Sequence, residues 1–120
     1  MPTAQPAPDR MTVLTRIDWL TAAVHDIATV ARDGYGLARI TAKVVELAFP
    51  NCPAELAHLA IRYADRAHAA AALHAAYVAV QTRGDITRLA REAAEFAERE
   101  AVAAGEAFES AMRAHYAPKP

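Results

Sequence analysis

Apolar residues recur at helical spacing along most of this chain, and no stretch alternates over the length of a strand. From Met11 to Arg32, the residues Val13, Ile17, Leu20, Val24, Ile27 and Ala31 follow one another at steps of 4, 3, 4, 3 and 4. That is the seam of a helix packed on a helix. Trp19, Ala23 and Val30 form a second strip, so the helix is expected to touch two neighbours. Asp9 or Thr12 is placed to cap it. "DGYG" (Asp33–Gly36) ends it, and Gly34 suits the left-handed position after a helix. A shorter helix follows over Leu37–Ala48, with Leu37, Ile40, Val44 and Leu47 on one face. "FPNCP" (Phe49–Pro53) breaks the chain twice, which leaves Cys52 or Asn51 to cap a third helix and Pro53 to fill its first turn.

The third helix is expected over Ala54–Thr82 and the fourth over Ile86–His115. "RGD" (Arg83–Asp85) joins them: Gly84 stops one and Asp85 caps the next, so turn chemistry accounts for the tripeptide. At 1.5 Å per residue these two helices are each about 42–45 Å long, against about 33 Å for the first and about 18 Å for the second. The fold class that follows is all-α: a small antiparallel bundle of four helices, one short, with a long helix 3–helix 4 hairpin. Residues 10–116 form the single helical domain. The Pro-rich residues 1–9 read as a disordered arm, and 117–120 as a frayed tail. The short helix does not cover the hairpin, which favours a second copy of the chain, a dimer first of all.

Composition points the same way. The chain has 120 residues and is 54% hydrophobic, but alanine supplies much of that fraction and adds little apolar area per residue. A single copy therefore has a thin core. The net charge is −1, with basic and acidic residues interleaved, whereas nucleic-acid binding needs clustered cations. No apolar run reaches the length of a membrane span. One cysteine and no apolar leader point to the cytoplasm. The Walker loop, GxGxxG, HExxH and GxSxG are absent, so no cofactor is implied and no motif assigns a catalytic residue.

The candidate chemistry is concentrated in the third helix. Placed at 100° per residue, Leu56, Leu59, Tyr63, Ala67, Ala70, His74 and Tyr77 share a core-facing side, while His58, Arg62 and Asp65 lie nearly opposite. The three histidines do not converge on one metal. Glu55-x-x-His58 and Asp65-x-x-His68 each have the spacing of a helical metal pair, but no second Glu-x-x-His exists to complete a di-metal site. Glu55, His58 and Asp65 therefore read as a solvated face, with an interface or weak metal site as the alternative. His74 reads as a core histidine bonded to a carbonyl or to Tyr77, or as a pocket residue.

Glu100 falls inside the apolar stripe of the fourth helix, among Ile86, Leu89, Ala93, Phe96, Ala97, Ala104, Phe108 and Ala111. A buried carboxylate must be paired, protonated or turned to a partner. Arg66 and His68 lie level with it across the hairpin; a polar pocket or an oligomer interface are the alternatives. Cys52, at the start of a helix, has a placement that lowers a thiol pKa, but no histidine stands beside it.

Two functions are compatible with this pattern. The first is a protein–protein interaction module (an accessory, inhibitor, immunity-like or adaptor protein) that acts by binding another protein. The second is a helical enzyme or carrier that uses Glu100, His74, Tyr63 and Tyr77 inside the bundle, or Glu55, His58, Asp65 and His68 at an interface.

Overall fold

The computed structural model describes residues 9–81 and 83–118. They form four helices, α1 (Arg10–Val30), α2 (Leu37–Ala48), α3 (Ala54–Val80) and α4 (Asp85–Tyr116), with no strand among the described residues. The all-α bundle with a long α3–α4 hairpin is therefore the architecture. The expected arm over residues 1–9 lies outside the described residues except for Asp9, whose carboxylate accepts the Thr12 N–H at 2.7 Å and caps α1. Ala117, expected in a frayed tail, is buried, and the Arg10 guanidinium donates to its carbonyl and, at 2.9 Å, to that of Pro118.

The helix ends depart from expectation in ways the hydrogen bonds explain. α1 stops at Val30, where Ala31 turns to an extended conformation, and the left-handed position falls on Gly36 (φ 77°) rather than Gly34. The Ala28 carbonyl, one of the last four of α1 and without a helical donor, accepts from His68 Nδ1 at 3.1 Å. A carbonyl only accepts, so the proton sits on Nδ1. Pro53, not Cys52 or Asn51, occupies the cap position of α3. Asn51 is left-handed (φ 61°), and its N–H is held by the Glu46 carboxylate at 3.1 Å. At the tip of the hairpin Gly84 (φ 61°) occupies the cap position of α4, and Thr87 Oγ1 accepts the Arg83 N–H while donating to the Val80 carbonyl.

The core sits at one end. Ile17, Leu20, Val24 and Ala28 of α1 pack with Leu37 and Val45 of α2, with the α3 line Leu56–Ala60–Tyr63–Ala67, and with Phe108 and Met112 of α4. The buried line of α2 is Leu37, Thr41 and Val45, one position on from the expected face, and Ile40 and Leu47 are exposed. α2 is apolar round more than half its circumference, so periodicity does not choose between the two lines. Thr41 Oγ1 is buried there without a partner. Above this core, a second and separate cluster consists of Ala70, Ala97 and Ala101 alone. Full burial of a leucine or phenylalanine contributes about 1.5–3 kcal/mol, and an alanine methyl a fraction of that. The upper hairpin thus adds length, with overall extents of 71 × 30 × 20 Å, but little core.

One close approach sets the hairpin register. Gly105 of α4 is buried under the Tyr63 ring of α3, where a Cβ would come within 2.9 Å of Tyr63 Cε1. Two residues nearer the tip contradict the sequence reading. His74, expected in the core, is exposed, because α1 ends too low to cover it. Glu100, expected in a buried stripe, is exposed because the buried line of α4 runs through Ala94, Ala97, Ala101, Ala104 and Phe108 instead. The large residues expected to centre the stripe, Ile86, Leu89 and Phe96, face out.

Candidate functional site

At the base, α1 occupies the furrow between α3 and α4. Beyond His25 and Thr29 it no longer does, and among the described residues nothing else fills the furrow towards the tip. What remains is an open groove of about 890 Å³. Its floor is alanine, chiefly Ala67, Ala70 and Ala101. Tyr63, His74 and Tyr77 stand along the α3 side, and Arg91, Glu95, Glu98 and Val102 along the α4 side. The alanines follow from the local packing: small side chains let α3 and α4 approach closely, and they leave the groove shallow and wide.

The groove is apolar below and mixed in charge above. His25 stacks on Tyr63 with ring centroids 6.3 Å apart, and His74 meets the edge of Tyr77 at 6.2 Å. Burial, then the charges of Glu109, Glu98 and Asp26, push the Tyr63 phenol up, so it is a hydrogen-bond donor throughout the physiological range. Arg91 and Glu95 form an exposed pair at 4.0 Å. Such a pair contributes little to stability and leaves both charges available to a ligand or partner.

Of the sequence-derived candidates, the groove brings together Tyr63, His74 and Tyr77 and excludes the rest. His68 is turned to Ala28 at the end of α1. Arg66 reaches its neighbour Asp65 at 3.8 Å, so Glu100 pairs with neither Arg66 nor His68. Glu100 instead lines a small hollow of about 180 Å³ on the other side of the hairpin, with Leu59 and Arg62. His58 and Asp65 share a cleft with Arg62 and Gly34, and Glu55 lies outside it in the first turn of α3. Among the described residues, no three His, Cys, Asp or Glu side chains converge as a metal site.

Cys52 is the reverse of an activated thiol. Burial pushes it up, against a hydrogen bond with Tyr116 that lowers it, and Glu46 adds to the rise. Tyr116 is itself pushed up to about 12, by burial first and then by Cys52. It packs on Phe49 with centroids 4.5 Å apart.

Two features were not picked out as surfaces in the sequence. One is the groove, whose signal was the length mismatch between the first helix and the hairpin. The other is the back of the hairpin. Leu73 of α3 and Leu89 and Phe96 of α4 are exposed there, the last two at 59% and 58%. On α4 this strip lies roughly 150° round the helix from the groove wall at 100° per residue. A third apolar spot, Met11 and Trp19 on α1, flanks a shallow depression with Arg16. No helix of the described residues is long and apolar enough to cross a membrane.

A scan against protein-family models and searches among curated proteins and solved structures give no match to this chain.

Proposed function

We propose that this chain is a protein-docking module. The base holds the fold, and the groove of the upper hairpin receives an amphipathic helix of a partner protein. One observation carries the reading: α1 lies in the lower half of the α3–α4 furrow, and the upper half, floored by Ala67, Ala70 and Ala101, stands open. From Tyr63 to Tyr77 it runs about 20 Å at 1.5 Å per residue, the length of a four-turn helix. Helix-in-groove recognition needs an apolar floor, with polar rims to fix direction, and Arg91, Glu95 and Glu98 supply the rim. The reading places the protein in the cytoplasm, where a lone cysteine stays reduced.

The test is a photoreactive residue placed at Val102, on the groove wall, and, as a control, at Ser110, exposed on the outer side of α4, with crosslinking in the native cell. A discrete adduct of the chain with a second protein from Val102 and none from Ser110 is the expected result. Equal adducts from both positions, or none from Val102, overturn it.

A second reading is favoured by the groove volume, which falls in the range of small-molecule pockets, and by three ring side chains along one wall. In that case the chain is a ligand carrier using Tyr63, His74 and Tyr77. Native mass spectrometry separates the two: a constant small added mass supports the carrier, and its absence supports docking.

A further inference from the structure

We infer that the back of the hairpin is a dimerisation face, on which a second copy of this chain docks pointing in the same direction, with the two-fold axis along the hairpin. This does not rest on the groove reading, which concerns the opposite face.

The argument is one of matched strips. The Tyr63–Gly105 contact fixes the register. In that register Leu73 is level with Phe96, Val80 with Leu89, and Arg66 with the turn that carries Glu100, each to within about 3 Å at 1.5 Å per residue. On α3 the strip is apolar near the tip (Leu73, Val80) and basic nearer the base (Arg62, Arg66). On α4 it is apolar near the tip (Leu89, Phe96) and carries a single acid, Glu100, nearer the base. A two-fold axis parallel to the hairpin lays α3 of one copy on α4 of the other. Apolar then meets apolar, and each Glu100 meets Arg66 of the other copy, with Arg62 about 9 Å nearer the base at 1.5 Å per residue. The head-to-tail alternative, overlapping the same apolar span, carries Glu100 to the level of the tip turn, away from Arg62 and Arg66.

Within one chain Glu100 and Arg62 line the same small hollow without closing an ion pair. Among the described residues neither Glu100 nor Arg62 forms an ion pair. Arg66 has only the exposed Asp65 at 3.8 Å, and its Nε is buried without a hydrogen-bond partner. The area suffices: a strip of roughly 30 × 20 Å on each copy removes about 1,200 Å² in total, the lower end of stable interfaces.

Sedimentation of the full chain at micromolar concentrations is expected to give a dimer. Leu89→Glu and Phe96→Glu, at exposed positions, are expected to weaken it at least about tenfold with unchanged helicity by circular dichroism. The direction is read by mixing. The Glu100→Arg chain and the Arg62→Glu/Arg66→Glu chain each oppose like charges in their own dimers, whereas one copy of each restores both contacts. A mixture that forms heterodimers in preference to either homodimer supports the proposal. A monomeric wild type, a dimer indifferent to Leu89→Glu and Phe96→Glu, or mixed chains that show no preference overturns it. The last result is also what a Glu100–Arg66 pair within one chain gives.

Discussion

Gly105 is the residue whose side chain matters by its absence. The Tyr63 ring occupies the space a methyl would take, with no flexible end to yield. Gly105→Ala is expected to destabilise the fold by about 1–3 kcal/mol, the range of overpacked cores, despite the higher helix propensity of alanine. Chemical denaturation measures it, and on a Tyr63→Ala background the penalty of the same change should largely vanish. Tyr116 gives a pH signature. Its folded value of about 12 stands above the ordinary 10, so its contribution is intact below pH 10 and is lost as pH rises through 12. Thermal melts should show stability falling across that window, with the fall reduced in Tyr116→Phe. Neither residue announces itself in the sequence. Gly105 sits in an unbroken helical pattern, and Tyr116 meets Cys52 and Phe49 only through the fold. The same holds for His68, whose carbonyl partner is forty residues away.

Elements were the more legible scale. Breaks at Asp33–Gly36, Phe49–Pro53 and Gly84 are written in glycine and proline, and the helices end within a few residues of them. Which face is buried was legible only where large side chains mark it, as with Ile17, Leu20 and Val24 on α1. On α4 the buried line is alanine, so Ile86, Leu89 and Phe96 drew the expected stripe to the wrong side and carried Glu100 with it. His74 failed for a different reason. Its phase on α3 was right, but whether anything covers that phase depends on where α1 stops. The same uneven cover predicts a gradient of local stability along α3 and α4. Amides between Leu56 and Ala67 and between Ala104 and Met112 should exchange slowest, and those from Leu73 to the tip faster by more than about tenfold, since local opening there exposes little apolar area. Native-state hydrogen exchange with fragment resolution reads this directly. Uniform protection along both helices would mean that the tip is covered in solution.

The whole molecule is long for its mass. The Cα radius of gyration is 17.5 Å, whereas a compact domain of this length has about 13 Å. Folding and surface are also apportioned unequally along that length. Phe108→Ala, at the buried end, is expected to cost about 3–5 kcal/mol, whereas Phe96→Ser in a dilute, monomeric sample should stay within about 0.5 kcal/mol of wild type. A pair of thermal melts decides it. The separation of the leucine-and-phenylalanine base from the three-alanine cluster above it has a consequence for how such a chain changes over time. Substitutions at Leu73, Leu89 or Phe96 alter what the protein meets and leave almost untouched whether it folds, so the upper hairpin is free to drift towards new associations while the base is held fast by its packing.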